Sequence, residues 1–109
     1  MELEEIRKKI DEIDGRLLEL FCRRMDLVRE VAAYKIEHRM EVLRPEREQA
    51  ILERVAGQAE PGYGEYAVDF FSELMRISRQ MQQKMILAAE DSAPQMRCTA
   101  EEDSGARAD

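Results

Sequence analysis

The chain has 109 residues, enough for one domain, with 44% hydrophobic, 38% charged and only 6% aromatic residues. This balance is typical of long amphipathic helices and disfavours a sheet. The formal net charge is −7 and no long basic stretch occurs, which argues against nucleic acid as a partner.

Three further classes of protein are disfavoured by the sequence. No run is apolar for the length of a membrane span, and no apolar signal region opens the chain, so we expect a cytoplasmic protein that does not enter a membrane. The two cysteines, Cys22 and Cys98, form no disulfide framework and no metal-binding spacing. We therefore expect no metal and no other cofactor.

The first segment carries a continuous heptad pattern, which we call the seam. Its spacing alternates between three and four residues and predicts one helix from about residue 3 to 38, roughly 50 Å long. A helix of this length cannot bury its stripe against the shorter segments that follow, so we expect a second copy of the chain to cover it. The seam comprises Leu3, Ile6, Ile10, Ile13, Leu17, Leu20, Arg24, Leu27, Val31 and Tyr34.

Two more helices and a tail follow. Pro45 suits the first turn of a second helix, which we expect to run to about Ala56. The segment GQAEPGYG, residues 57–64, is a clear break, and a third helix is predicted from about Glu65 to Ala88. We therefore predict a helical domain over residues 1–88 and an acidic, disordered tail over 89–109.

Two cations share one face of the first helix. Arg24 lies on the seam, where a polar residue can extend its head to solvent or specify helix register. Lys35 follows eleven residues later, nearly a whole number of turns, and about 16 Å along the axis. An alternative to the solvent-directed reading is that both long side chains bind one small anion.

Glu48 poses a similar question on the second helix. It lies three, four and seven residues before three apolar residues of that helix, Ile51, Leu52 and Val55. A charge at a helix start usually faces solvent. On an apolar stripe, however, a carboxylate is costly unless another group pairs with it.

Ser78 and Gln82 are four residues apart on one face of the third helix, where buried polar groups need hydrogen-bond partners. A helix–helix polar contact would satisfy them. The alternative is a single polar pocket formed by three helices, which explains all the inward-facing polar residues together. They are Arg24, Lys35, Arg47, Glu48, Ser78 and Gln82.

Arg7 and His38 do not belong to this set of inward-facing polar residues. Arg7 lies seventeen residues before Arg24, about 25 Å along the helix, so it cannot share a small ligand with Arg24 and Lys35 of its own chain. An antiparallel second copy would bring it there. His38, the single histidine, has no catalytic or metal-binding pattern around it, and we interpret it as a loop or helix-end residue.

Three segments together resemble the all-helical chorismate mutases: IRKKIDEIDGRLLELFCRRMDLVREVAAYK, then PEREQAILERV, then ISRQMQQ. The resemblance covers roughly residues 3 to 87 and depends on the order and spacing of these segments. It implies an all-α fold with three helices per chain, in an intertwined homodimer whose two sites each use both chains. It also implies the rearrangement of chorismate to prephenate in phenylalanine and tyrosine biosynthesis.

The resemblance implies catalytic roles by position. Lys35 and Gln82 match groups that hydrogen-bond the ether oxygen of chorismate, and Glu48 matches the residue at the ring hydroxyl. The reaction is an intramolecular pericyclic step that requires no nucleophile, metal or proton transfer. Catalysis then consists of positioning a dianion and stabilising charge on the ether oxygen as its C–O bond breaks.

The remaining matched positions are substrate-binding. Arg24 and Arg7 of the partner subunit match ligands of the substrate carboxylates, Arg47 matches a pocket arginine, and Ser78 matches a polar contact near a carboxylate. One position departs from the family, which usually has Asp where this chain has Arg44. Arginine accepts no hydrogen bond, so it cannot replace that Asp at the hydroxyl or as a helix cap. We expect Arg44 to point to solvent at the pocket mouth.

Two alternatives remain open from the sequence. An isochorismate pyruvate-lyase shares the fold, but such proteins typically lack an acid at the position of Glu48 and the Ser78–Gln82 pair. A non-catalytic helical interaction or regulatory module would keep the fold, and the Arg44 departure and the acidic tail are compatible with it.

Overall fold

The computed structural model describes residues 2–92, which form three α-helices with no strand in this range. They are α1 (Leu3–His38), α2 (Pro45–Gln58) and α3 (Gly64–Ser92). The predicted bounds of α1 are confirmed, α2 runs two residues further than expected, and α3 continues four residues past its predicted end. The first four residues of the predicted tail, 89–92, are therefore helical. The rest of the tail lies outside the described residues.

The helix ends follow from the residues found there. Arg39 adopts a left-handed conformation (φ 55°) and ends α1 as its C-cap. Pro45 occupies the first turn of α2, and Arg44 is the N-cap residue without a side-chain capping bond, as expected for a side chain that accepts none. Gly62 has φ +94° in the turn before α3, a conformation that favours glycine.

Helix α3 packs against both other helices and carries the core. Met75 of α3 is 4% exposed and packs with Ile51 and Val55 of α2. On α1 the buried apolar residues are Val28 and Ala32. Phe70 of α3 is 53% exposed in the single chain.

The seam is left uncovered by the chain itself. The radius of gyration is 18.0 Å, whereas a compact domain of this length has about 12–13 Å. Val28 and Ala32 face α3, whereas the apolar residues of the seam stay largely exposed along α1. All nine apolar seam residues are exposed: Leu3, Ile6, Ile10, Ile13, Leu17, Leu20, Leu27, Val31 and Tyr34, by 40% (Ile6) to 59% (Ile13 and Leu27).

Within the described range, no helix has both the length and the apolar character needed to cross a lipid bilayer.

Candidate functional site

A polar pocket with a volume of about 230 Å³ lies between α1, the start of α2 and α3. All the site residues predicted from the sequence line it except Arg7. The six residues of the helix-face argument are thus brought together, and Arg44 joins them at the pocket wall. The seven residues are Arg24, Lys35, Arg44, Arg47, Glu48, Ser78 and Gln82. The apolar part of the wall comes from residues of all three helices, including Val28, Ile51 and Met75.

Arg24 points into this pocket and not to solvent. Its Nη1 donates to Ser78 Oγ at 2.8 Å, and Ser78 Oγ donates to the Leu74 carbonyl at 2.9 Å. Ser78 is 5% exposed, so its hydroxyl orients the guanidinium from a fixed position on α3. The solvent-directed interpretation of Arg24 is therefore wrong for this chain.

Lys35 and Gln82 form the most buried polar pair of the pocket. Lys35 Nζ donates to Gln82 Oε1 at 2.9 Å and to the Val42 carbonyl at 2.8 Å, and the two side chains are 8% and 6% exposed. Both acceptors are neutral oxygens. Because an ammonium has three donors and no acceptor, Lys35 retains one further N–H, and its bond fixes the carbonyl end of the Gln82 amide.

Glu48 is held by a residue that the sequence analysis missed. Arg79 Nη1 donates to both carboxylate oxygens of Glu48, at 2.5 and 2.7 Å, and joins α3 to the start of α2. The two side chains are 31% and 23% exposed. A signal was present in the sequence, because Arg79 directly follows Ser78 and precedes Gln82 by one helical turn, while Glu48 required a partner.

The pocket is strongly cationic. Five cations line it, Arg24, Lys35, Arg44, Arg47 and Arg79, against one acid, Glu48. Burial lowers the pKa of Arg24, and repulsion by Arg47 lowers it further. Burial also lowers the pKa of Lys35 and repulsion by Arg44 adds to the effect, whereas Glu48 opposes it. A small dianion would supply the missing negative charge.

Arg7 lies outside the pocket of its own chain. Its side chain is 62% exposed and lies 3.9 Å from Glu4, one turn earlier on α1. The single chain therefore does not bring Arg7 to the site. Arg44 is exposed at the pocket rim, and its charge reaches Lys35, which fits the expectation of a residue at the pocket mouth.

A larger apolar groove, about 430 Å³, runs between α1 and α3 and shares only Arg24 with the polar pocket. Leu17, Leu20, Phe70 and Leu74 contribute to its walls. Because the groove lacks convergent polar groups, the smaller polar pocket is the candidate site, and the groove adjoins the exposed seam.

His38 takes no part in the pocket. It is the last residue of α1, its ring stacks on Tyr34 with centroids 3.9 Å apart, and its Nδ1 lies 2.8 Å from the Tyr34 carbonyl oxygen. The helix-end interpretation is confirmed. In the described part of the chain, no three His, Cys, Asp or Glu side chains are grouped as a metal site would require.

Known proteins match much of this chain. The family model of chorismate mutase type II matches residues 6–83. The chain is 45% identical over 53 residues to a chorismate mutase of Methanocaldococcus jannaschii, and 38% identical over 58 residues to the T-protein of Haemophilus influenzae. These matches cover 49% and 53% of this chain, and 54% and 15% of those proteins.

A third relative is matched over most of its length. The chain is 31% identical over 96 residues to the 4-amino-4-deoxychorismate mutase of Streptomyces venezuelae, covering 83% of this chain and 93% of that protein. No solved structure is a significant match.

Proposed function

We propose that this chain, which belongs to the chorismate mutase type II family, catalyses the rearrangement of chorismate to prephenate. The observation that carries the proposal is the buried Lys35–Gln82 pair inside a pocket of five cations. In the reaction one C–O bond breaks and one C–C bond forms within the same molecule, with no net proton transfer. The site therefore needs shape, positive charge and hydrogen-bond donors, all of which the polar pocket has.

Lys35 and Gln82 act at the ether oxygen in this proposal. Since Lys35 donates to the carbonyl end of Gln82, the amide NH₂ group of Gln82 remains as a donor, beside the spare N–H of Lys35. Two fixed donors directed at the oxygen whose negative charge grows in the transition state lower the barrier without reorganising during the reaction. The buried position strengthens both interactions, because little water competes.

Arg24 binds one substrate carboxylate, and Arg47 adds positive charge beside it. Ser78 holds the Arg24 guanidinium from α3, and the mutual repulsion of the two arginines is relieved when an anion lies between them. Glu48 accepts a hydrogen bond from the ring hydroxyl. Arg44 stands at the mouth, where its charge attracts the incoming dianion.

The active form is a homodimer with sites shared between chains. The exposed seam supplies an apolar surface for a second copy, and the apolar groove extends it. In an antiparallel pairing of two α1 helices, Arg7 of the partner subunit reaches the second carboxylate. The pocket of one chain is incomplete without it, since its own Arg7 is directed elsewhere.

The direct test is to add chorismate to the purified protein and follow its loss and the product by chromatography. Prephenate formation supports the proposal, and an unchanged chorismate pool rejects it. Lys35→Met and Gln82→Met should each lower kcat by about 10²–10³-fold, as for other lost oxyanion donors. Lys84→Met, at an exposed position of α3 outside the pocket, is the matched control and should leave kcat unchanged.

The shared site has its own test. Co-refolding Arg7→Ala chains with Arg24→Ala chains gives heterodimers in which one of two sites keeps both arginines, and activity should partly return. If heterodimers form but remain as inactive as either parent, Arg7 does not serve the partner's site.

A second candidate substrate is 4-amino-4-deoxychorismate, on which the Streptomyces venezuelae relative acts by name. It is favoured by the coverage of that match, which extends over most of both chains. The same chromatographic assay with the amino compound decides between the two substrates. We favour the hydroxyl compound, because the acid that would meet the substituent is already bound to a cation.

We also propose that the protein works in the cytoplasm, and that its product enters the biosynthesis of phenylalanine and tyrosine.

A further inference from the structure

Glu48 is the single acid that lines the polar pocket, and every other charged residue of the lining is a cation. Arg79 contacts both of its oxygens. A carboxylate offers about four lone-pair directions, so two bonds to Arg79 leave Glu48 able to accept from a substrate group as well. Arg79 adds a positive charge beside Glu48, so a substrate group that binds Glu48 also lies close to a cation.

The two kinds of ring substituent respond differently to this arrangement. A hydroxyl is neutral and needs only an accepting oxygen. An amino group on a saturated ring carbon is protonated near neutral pH, and next to Glu48 it would meet the Arg79 guanidinium, with Arg44 and Arg47 lining the same pocket. Like charges opposed in a partly buried site are strongly unfavourable.

We propose that Arg79 is a positioning residue that holds Glu48 by its ion pair and makes the site select a neutral hydroxyl over an ammonium. This inference rests on the proposed function and assigns a role to a residue outside the set predicted from the sequence. The ion pair also fixes Glu48 between α2 and α3, so the acceptor keeps one orientation. Selectivity then comes from a repulsive element placed beside the attractive one.

The contacts of Arg79 distinguish it from its neighbour on the helix. Arg76 lies one turn earlier on α3, is exposed, and donates from both Nε and Nη2 to Glu73. It does not line the pocket. Arg76→Met removes the same charge from the same helix without touching Glu48, and therefore serves as the matched control.

The experiment compares kcat/KM for chorismate and for 4-amino-4-deoxychorismate in the wild type, Arg79→Met, Arg79→Lys and Arg76→Met. We expect the wild type to favour chorismate, and Arg79→Met to lower the chorismate-to-amine ratio by about tenfold or more, since a like-charge contact is lost. Arg79→Lys should restore most of the ratio, because the cation returns. Arg76→Met should keep the wild-type ratio.

Thermal unfolding of each variant shows whether it is folded, and a general loss of structure would lower both activities together without changing their ratio. A ratio within about twofold of wild type in a folded Arg79→Met protein overturns the inference, as does an equal change in Arg76→Met. If the wild type turns over neither compound, the proposed function fails and the inference with it. Wild-type turnover with an unchanged ratio in Arg79→Met rejects the inference alone.

Discussion

Truncating one exposed leucine of the seam measures how much a second copy of the chain contributes to stability. Leu20 is 55% exposed in the single chain. Burying a whole leucine side chain is worth about 1.5–3 kcal/mol, so covering the exposed half is worth about 1–1.5 kcal/mol. A twofold dimer contains two such residues, so Leu20→Ala should weaken it by about 2–3 kcal/mol, or about 30- to 150-fold in Kd.

Leu87 on α3 provides the control. It is 58% exposed, also helical, and lies off the seam, so Leu87→Ala removes the same atoms from a site with nearly the same exposure. Were the protein a monomer, the two substitutions would have similar small effects. With the seam buried in a dimer, only Leu20→Ala should change the association.

Sedimentation equilibrium of the wild type and both variants over a range of concentrations gives the three dissociation constants. The urea midpoint should also rise with protein concentration for the wild type, since folding and association are linked. Equal dissociation constants for the two variants, or a folded wild-type monomer at micromolar concentration, would refute the assignment of the seam to a second copy.

Three further predictions concern the pocket and the backbone. Burial lowers the pKa of Lys35, so the decline of kcat/KM at alkaline pH should begin at a lower pH than for an ordinary lysine. A bound dianion raises this pKa, so the alkaline decline of kcat should begin at a higher pH than that of kcat/KM. The unfolded state binds more protons between the lowered and the ordinary pKa, so the Lys35 contribution to stability rises with pH there; Lys35→Arg should remove the alkaline limb from the rate profile. Arg44→Ala should change kcat by less than about threefold, raise KM, and make KM less dependent on salt concentration. Glu48→Ala should lower kcat far more. Equal losses of kcat in the two variants would place Arg44 inside the site. Gly15→Ala should stabilise the protein by about 0.5–1 kcal/mol, because the alanine Cβ added in α1 would meet nothing within 4 Å. Gly62→Ala should destabilise the protein by about 1–2 kcal/mol, because φ is +94° at this position. Calorimetric Tm values of the two variants check both predictions.

The helices could be predicted because their signals are long or chemically specific. The seam repeats over most of α1, Pro45 marks the first turn of α2, and a glycine-rich break precedes α3. The end of α3 was less predictable. Ala88, Ala89 and Glu90 are good helix formers with no stop signal, so the helix continued to Ser92 where composition suggested a tail.

The convergence of the site residues could also be predicted, because polar groups that face inward on three helices need hydrogen-bond partners. Their partners could not. Lys35 uses the Val42 carbonyl, and a backbone acceptor in a loop has no side-chain signature. The partner of Glu48 is Arg79, which belongs to α3 and is 31 residues away in the chain. Its place one turn before Gln82 is a signal for a residue near the pocket, but the pairing with Glu48 follows from the packing of α2 on α3.

The cationic pocket carries an electrostatic cost that a dianion would remove. Lys35 is bonded to two neutral oxygens and Arg24 to a hydroxyl. Burial lowers the pKa of both groups, and repulsion by neighbouring arginines lowers it further. The packing of α1 on α3 keeps these cations in place, so the fold bears the cost before any ligand arrives. In the proposed reaction, a substrate with two carboxylates gains this free energy on binding. The proposed donors, Lys35 and Gln82, then need no further movement when charge develops at the ether oxygen. The same reasoning explains why a catalytic site of this kind can lack a nucleophile: its chemistry lies in where the positive charge is held.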